Sequence, residues 1–312
     1  MAINRIPEFI SALSPITDES AIASLCLLEV DYLQSALTPT SQRRSVSRYR
    51  NAIRDLDADH IALKYFDVPS EIKKAYREHK DIQVAKKQDN ILDIDHDELI
   101  IRACQLCSAQ GYLKITLGLI LLTGRRPVEV LKQGKFYYSH EIEKAISEVD
   151  VREDKINTPQ EIEVLISKMG DTDYLLFSGQ AKTRNSDKMA KQPFPIPILA
   201  DPEQIMESIH RLRDLKPEFK SLTNDEVHSR ANKELNGKTS GAKHPKIYGD
   251  LIANEKCSCK GLRAAYAQIC FELYGKPNRT GQGIYFSRIL GHSENSTSTA
   301  SHYVDFNLDD LE

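Results

Sequence analysis

The sequence predicts a mainly α-helical protein of two domains, with a small antiparallel β-sheet in the second domain. The chain has 312 residues, which is too long for one small core and suits two domains. Most segments repeat their apolar residues at helical spacing. Only "DYLLFSGQ" (173–180) and "PFPIPIL" (193–199) have the character of strands, so the sheet is expected to be small.

The first domain is predicted over residues 1–90 and is helical throughout. "AIASLCLLEVDYLQSAL" (21–37) has helical apolar spacing, and "TPTSQ" (38–42) interrupts it with residues that can cap the next helix. Further helices are predicted in "RRSVSRYRNAIRDL" (43–56) and "VPSEIKKAYREHKDIQVAKK" (68–87). The polar segment "KKQDNILDIDHDE" (86–98) has little periodicity and is predicted to be the linker.

The second domain is predicted over residues 97–312. It should begin with one long apolar helix that ends at Gly124, followed by charged helical sequence over 141–170. The two strand candidates are expected to form a β-hairpin with a long basic tip. Amphipathic helices follow in "KGLRAAYAQICFELYG" (260–275) and "GIYFSRILGH" (283–292), each stopped by a glycine.

Composition and charge constrain the class of protein. With 40% hydrophobic and 28% charged residues, and no apolar run near the roughly 18–20 residues of a membrane span, we expect a soluble cytoplasmic protein without a signal peptide. The net charge of −3 argues mildly against a nucleic-acid partner. The cations are clustered, however: "SQRRSVSRYRNAIR" (41–54) carries five arginines and no acid. For a single run, a solvated helix face is the alternative explanation.

The six cysteines allow a zinc hypothesis. "CQLC" (104–107) and "CSC" (257–259) together offer four thiolates, which suits a structural zinc site. However, "CQLC" lies in an apolar helical run, where cysteine is usually a small core residue. We therefore predict reduced cysteines and no metal, and keep a zinc-stapled regulator as an alternative.

Cations recur where predicted elements end. The sequence has no P-loop, G-x-G-x-x-G or H-E-x-x-H motif. The cations at element ends are Arg125, Arg126, Lys182, Lys260, Arg263 and His292. Such a set can form an oxyanion site, because an arginine fork gives two parallel hydrogen bonds and stays charged. Charges that pair with a helix C-terminus are the simpler explanation for Arg125 and Arg126.

The motif "TGRRPVE" (123–129) resembles the first arginine motif of the tyrosine recombinases. The order of that superfamily's catalytic residues also recurs, over about residues 97–306. It is found here as Arg126, Lys182, "KGLR" (260–263), "LGH" (290–292) and Tyr303.

Three details resemble one subgroup, the telomere resolvases or protelomerases. They are "TGRRPVE", "FSGQAKT" (177–183) and a lysine at position 260 where a histidine is usual. "YRNAIRDL" (49–56) is also similar to a DNA-gripping helix in the N-terminal part of that family. The resemblance implies a tyrosine-recombinase-like catalytic fold and an enzyme that breaks an inverted-repeat telomere junction and reseals each half as a hairpin.

The resemblance also implies a role for each matched residue. Tyr303 would attack the scissile phosphodiester, forming a 3′-phosphotyrosyl enzyme and releasing a 5′-hydroxyl. Arg126 and Arg263 would clamp the non-bridging oxygens. Lys260 and His292 would add hydrogen bonds and assist proton transfer.

Lys182, on the hairpin, would protonate the departing 5′-oxygen. The long separation between Arg126 and Lys182 leaves Lys188 and Lys191 as alternatives. Glu129 is expected to orient an arginine.

The expected partner is double-stranded DNA with an inverted-repeat site, bound by a homodimer without metal, ATP or another cofactor. The residues predicted to contact DNA are Arg43, Arg44, Arg48, Arg50, Arg125 and Arg184. We expect a cytoplasmic, nucleoid-associated protein of bacterial, phage or plasmid origin. Two alternatives remain: an integrase that exchanges strands as a tetramer, and a catalytically inactive DNA-binding relative.

Overall fold

The structure, a computed structural model, describes residues 5–67, 69–88, 91–148, 158–181, 192–235, 258–291, 303–304 and 306–308. The chain divides into two compact units, Met1–Lys86 and Lys87–Glu312. Buried apolar residues form a separate core cluster in the first unit and the main core in the second. The prediction of a mainly helical fold with a small antiparallel sheet is confirmed.

The first unit is built from helices around an aromatic core. The helices are α1 (Ile6–Leu13), α2 (Glu19–Ala36), α3 (Pro39–Leu56), α4 (Ala62–Tyr65) and α5 (Ser70–Gln88), which ends just beyond the unit. Asp18 caps α2 by accepting a hydrogen bond from Ala21 N at 2.8 Å. The rings of Phe9, Tyr49 and Phe66 pack together with centroids 4.9–5.2 Å apart. This core fixes α3, which carries the arginine run, against α1 and α4.

The boundary between the two units falls within the segment predicted as the linker, after Lys86, but most of the described part of that segment is regular structure. Strand β1 (Leu92–Ile94) lies within 86–98 and pairs in parallel with β5 (Phe306–Leu308). Asp95 then caps α6 (His96–Ser108) by accepting from Glu98 N at 2.9 Å. A strand of three residues leaves almost no periodic signal, and its partner lies at the far end of the sequence.

The long apolar helix predicted before Gly124 is two helices. After α6, Gly111 takes a φ of 102°, which lies outside the helical region, and α7 (Tyr112–Thr123) begins there. Every residue of α7 from Ile115 to Thr123 is buried. Because α7 is the centre of the core, its C-terminal end brings the Thr-Gly-Arg-Arg sequence into the interior of the unit.

Three antiparallel strands lie beside this core, in the order β2 (Lys135–Tyr137), β3 (Tyr174–Ser178) and β4 (Phe194–Pro197). The predicted hairpin is confirmed in its strands, with Phe177 paired to Phe194. Its tip, 182–191, lies outside the described residues. The remaining elements are a π-helical turn (Glu129–Gln133), α8 (His140–Ser147), α9 (Pro159–Ser167), α10 (Pro202–Leu215), a 3-10 turn (Pro217–Ser221), α11 (Asn224–Leu235), α12 (Cys259–Cys270), a second π-helical turn (Phe271–Gly275) and α13 (Gln282–Leu290). Among the described residues, no helix has the length and apolar character to cross a membrane.

Candidate active site

The turn after α7 gives the site its shape. Gly124 ends the helix with a φ of 65°, and a β-carbon at this position would collide with the ring of Tyr266. Both the positive φ and the close approach require glycine. The side chain of Thr123 donates back to Leu119 O at 2.6 Å. The chain therefore leaves α7 in a fixed direction, with two arginines immediately after the turn.

Glu129 holds Arg126 at two points. Its carboxylate accepts from Arg126 N at 2.8 Å and from Arg126 Nη1 at 2.7 Å. Glu129 is fully buried and begins a π-helical turn, which Gly134 N closes by donating to Glu129 O at 2.8 Å. Such turns occur frequently at functional sites. Both the backbone and the guanidinium of Arg126 are thus fixed before any ligand is present.

Arg263 joins three parts of the site. It lies on α12, and its side chain is buried. Its Nε donates to Gly124 O, its Nη1 to Tyr303 Oη at 3.2 Å, and its Nη2 to Leu290 O at 2.9 Å. One guanidinium therefore connects the turn after α7, the end of α13 and the predicted nucleophile.

Tyr303 lies within this cluster, three residues before β5. The residue is 7% exposed, and its hydroxyl oxygen accepts the hydrogen bond from Arg263. Lys260 lies one helical turn before Arg263 on α12, and its Nζ is 5.7 Å from the centroid of the Tyr303 ring. Of the 13 tyrosines, the structure brings the predicted one beside two of the predicted cations.

The electrostatics of the cluster favour an anion. Burial alone would raise the pKa of Glu129, but the charges of Arg126, Arg263 and Arg125 lower that pKa to about 2. Burial, reinforced by the charge of Arg126, lowers the pKa of the Arg263 guanidinium to about 9. Two buried guanidiniums and the partly buried one of Arg126 thus surround one carboxylate, which leaves an excess of two positive charges in the cluster. A phosphate would relieve this repulsion.

The prediction that Arg125 contacts DNA was wrong. Its side chain has no exposed surface, because the turn after α7 directs it into the core. Its Nε donates to Thr123 O at 3.1 Å and its Nη2 to Ile289 O. The guanidinium also packs over the rings of Phe177 and Phe194, at 4.8 and 5.5 Å from their centroids. Arg125 is a structural residue that joins the turn to α13.

Arg213, which no sequence pattern indicated, supports the site from α10. Its Nε donates to Val130 O at 3.1 Å, and its Nη2 donates to Gly134 O at 2.6 Å. Val130 lies in the turn that begins with Glu129 and Gly134 directly follows it, so Arg213 stabilises the backbone that presents the carboxylate. In the sequence, "HRLRDL" (210–215) has the pattern of an ordinary surface helix, and nothing in it distinguishes Arg213 from a solvent-exposed charge.

Several predicted residues lie outside the part of the chain that the structure describes. They are Lys182, Arg184 and His292, together with the alternative lysines Lys188 and Lys191. Their roles stay predictions.

The predicted DNA contacts on α3 fall into two groups. Arg43, Arg44 and Arg48 are exposed, and Arg43 packs over the ring of Tyr76 at 4.4 Å. Arg50 is partly buried and its Nη1 donates to two backbone carbonyls near α4, at 2.7 and 2.8 Å. A phosphate contact by Arg50 would therefore compete with a structural role, whereas the other three are available.

The cysteines behave as core residues where they are described. Burial raises the pKa of Cys107 to about 12, and it also raises the pKa of Cys104, so both favour the neutral thiol over the thiolate that zinc needs. Within the described ranges, no three side chains of His, Cys, Asp or Glu are grouped as metal ligands. Cys259 is also buried, and Cys257, the fourth member of the zinc hypothesis, lies outside them.

Comparisons with known proteins agree on one family. The sequence model of the telomere resolvase ResT/TelK catalytic domain matches residues 90–306. Telomere resolvase ResT of Borreliella burgdorferi is 25% identical over 195 residues, which is 62% of this chain. Protelomerase of Klebsiella oxytoca phage phiKO2 is 21% identical over 276 residues, or 82% of this chain. The chain spans about a third of the length of these curated relatives, at 34% and 37%.

Solved structures share the fold. Protelomerase TelA, covalently complexed with substrate DNA, matches with a TM-score of 0.77 at 24% identity, covering 97% of this chain and 87% of that one. Protelomerase TelK, complexed with substrate DNA, matches with a TM-score of 0.58 at 19% identity, covering 99% of this chain and 58% of that one. The predicted tyrosine-recombinase-like fold is confirmed by this match.

Proposed function

The chain belongs to the telomere resolvase ResT/TelK catalytic-domain family, and on that premise we propose that it breaks and rejoins DNA through a 3′-phosphotyrosyl intermediate. Its substrate is an inverted-repeat telomere junction, and its products are covalently closed hairpin ends. The observation that carries the proposal is the 3.2 Å hydrogen bond from Arg263 to the Tyr303 hydroxyl, inside a cluster with excess positive charge.

Cleavage begins with attack by the Tyr303 oxygen on the phosphorus of the scissile phosphodiester. The new bond joins the tyrosine oxygen to phosphorus, and the bond that breaks joins phosphorus to the 5′-oxygen. A phenol is a weak nucleophile until its proton is removed. His292, assisted by Lys260, takes up the phenol proton, and the hydrogen bond from Arg263 stabilises the developing phenolate. Lys182 supplies the proton that the departing 5′-oxygen takes up.

The transition state carries more negative charge than the phosphodiester. Arg126 and Arg263 meet that charge with donors that the fold has already oriented, so little reorganisation is needed during the reaction. Loss of one such donor typically costs about 3–4 kcal/mol of transition-state stabilisation. Lys260 adds a cation at the first turn of α12, and His292 is assigned a further hydrogen bond.

Rejoining reverses the same step. A 5′-hydroxyl attacks the phosphotyrosyl linkage and releases Tyr303, so the energy of the broken bond is kept in the covalent intermediate. The reaction needs neither ATP nor a metal ion to supply that energy. When the attacking hydroxyl belongs to the opposite strand of the same half-site, the product is a hairpin.

The remaining parts of the proposal concern partners and setting. The protein acts as a homodimer on DNA, and the exposed residues Arg43, Arg44 and Arg48 contact phosphates, which predicts steep salt dependence. It works in the cytoplasm in association with the nucleoid. Bacterial, phage or plasmid DNA is the expected substrate, since the curated relatives come from a bacterium and from phages.

The test is a cleavage assay in EDTA without ATP. End-labelled duplexes with perfect inverted repeats are incubated with the wild-type protein, Tyr303→Phe or Tyr138→Phe, and run on a denaturing gel. Tyr138 is a half-buried tyrosine beside Ser139 and Asp173, in a depression that no residue of the cluster lines, so its variant is a matched control. We expect snap-back hairpins from the wild type and the control, and none from Tyr303→Phe.

The other outcomes discriminate between the alternatives. Covalent adducts with strand-exchanged products but no hairpins would identify an integrase. Specific DNA binding without any adduct would identify an inactive DNA-binding relative.

A further inference from the structure

The base of the hairpin, Gly179–Ala181, is held by three different side chains. Gly179 O accepts from Gln133 Nε2 at 2.6 Å, and Ala181 N donates to Glu129 Oε1 at 3.0 Å. Both of these contacts tie the hairpin base to the π-helical turn Glu129–Gln133. Gln180, between them, makes a contact in a different direction: its Nε2 donates to Gly291 O, at the end of α13.

Gln180 is enclosed against α13. The residue is only 3% exposed, which is unusual for a glutamine. Gly291 ends α13 with a φ of 68°, and a β-carbon there would lie 2.7 Å from Gln180 Oε1 and 2.8 Å from Phe194. The amide thus packs directly on the backbone of Gly291, and its donated hydrogen bond satisfies a carbonyl that the helix leaves free.

The end of α13 is a point where several functional segments meet. Three successive carbonyls there, of Ile289, Leu290 and Gly291, accept hydrogen bonds from Arg125, Arg263 and Gln180, respectively. Arg125 comes from the turn after α7, and Arg263 comes from α12. Of the three donors, Gln180 is the one contributed by the strand that leads into the hairpin.

The residues that form the contact between Gln180 and Gly291 are close in sequence to two predicted catalytic residues. Gln180 lies two residues before Lys182, and Gly291 lies one residue before His292. We propose that Gln180 is a positioning residue for the departure of the 5′-oxygen. By joining the hairpin base to the end of α13, it fixes Ala181, the residue that precedes Lys182, relative to the rest of the site. This inference rests on the proposed function, because it needs Lys182 as the proton donor.

Removal of this contact should slow proton delivery without weakening DNA binding. Gln180→Met keeps the length and packing of the side chain but removes its hydrogen-bond donor. Misplacement of a reacting group by about 1 Å can cost about 100-fold in rate. We therefore expect the single-turnover rate of adduct formation to fall about 100-fold, with the DNA concentration for half-maximal rate unchanged. Gln204→Met, at a half-buried glutamine in a separate surface depression beside Ile101, is the matched control.

A substrate with sulfur in place of the bridging 5′-oxygen isolates the step. The departing thiolate needs no proton, so a defect in proton donation disappears with this substrate. We expect Gln180→Met and Lys182→Ala to be slow on normal DNA and within a few-fold of wild type on the sulfur substrate. Arg263→Lys, which perturbs the phosphate contacts, should remain slow on both.

The outcomes separate the inference from the proposed function. If Lys182→Ala recovers on the sulfur substrate but Gln180→Met stays about 100-fold slow, Gln180 does not act through proton donation and the inference is wrong. It is equally wrong if Gln180→Met matches wild type on normal DNA. If the wild-type protein forms no adduct with either substrate, the proposed function itself fails.

Discussion

Replacement of Glu129 by glutamine removes the carboxylate that Arg125, Arg126 and Arg263 share, with almost no change in shape. In the wild-type structure, its two oxygens accept three hydrogen bonds, two from Arg126 and one from Ala181 N. A glutamine amide offers one acceptor oxygen, and its NH₂ group would face donors. The buried guanidiniums of Arg125 and Arg263 and the partly buried one of Arg126 would then lack their counter-charge, so the second unit should lose stability.

The expected loss can be worked out from the pKa of Glu129. The fold lowers this pKa from an ordinary 4.5 to about 2. At about 1.4 kcal/mol for each pH unit, the ionised carboxylate stabilises the folded state by about 3 kcal/mol. Independent experience with buried ion pairs gives about 3–5 kcal/mol for loss of one partner. Because the folded pKa lies below the unfolded one, the stabilisation is complete above pH 4.5 and disappears as pH falls towards 2.

Site-resolved thiol labelling during urea unfolding measures this effect. The chain has no tryptophan, but Cys270 in the second unit and Cys26 in the first are both fully buried. At neutral pH, Glu129→Gln should lower the free energy of unfolding reported by Cys270 by about 3 kcal/mol and leave that reported by Cys26 unchanged. The difference between variant and wild type should shrink as pH falls below 4.5. A loss under about 1 kcal/mol at neutral pH, or one that does not change with pH, would refute the reasoning.

Three further predictions concern the same turn and the first unit. Arg126→Lys keeps the charge but loses the fork, so single-turnover adduct formation should fall by about 10²–10³ while filter binding of DNA changes little. Gly124→Ala forces a β-carbon into the ring of Tyr266, and thermal unfolding should show a loss of at least about 2 kcal/mol. Arg125→Met should destabilise the fold but leave the salt dependence of DNA binding unchanged, whereas Arg48→Ala should reduce the salt slope by about 1. A smaller salt slope for Arg125→Met would contradict its structural assignment.

Much of the fold follows from local sequence pattern. The helices of the first unit, the two hairpin strands and the glycine stops at Gly124 and Gly291 could all be predicted, because each leaves a periodic or conformational signal within a few residues. β1 could not be predicted, since its stability comes from pairing with β5 and from packing, both of which join distant parts of the chain. The break at Gly111 was hidden because the residues on both sides are apolar.

The candidate site shows a similar limit. Arg126 and Arg125 are neighbours with the same chemistry, and only the direction of the turn after α7 decides that one faces the cluster and the other the core. Gln180 was part of the quoted "FSGQAKT" motif, yet its partner is a backbone carbonyl more than 100 positions away. Side chains that hold backbone atoms leave no residue-type pattern at the partner's position, so Arg213 was missed for the same reason.

The pairing of β1 with β5 has a consequence for the covalent intermediate. Tyr303 precedes Phe306, the first residue of β5, by three positions, so its α-carbon can lie at most about 10 Å from that strand. In the proposed reaction, the broken DNA strand is attached to Tyr303 by its 3′ end, and this short segment joins Tyr303 to β5. The 3′ end is therefore held in place during rejoining. The strand that ends in a 5′-hydroxyl must therefore move. It folds back until its 5′-oxygen reaches the phosphorus of the phosphotyrosyl linkage.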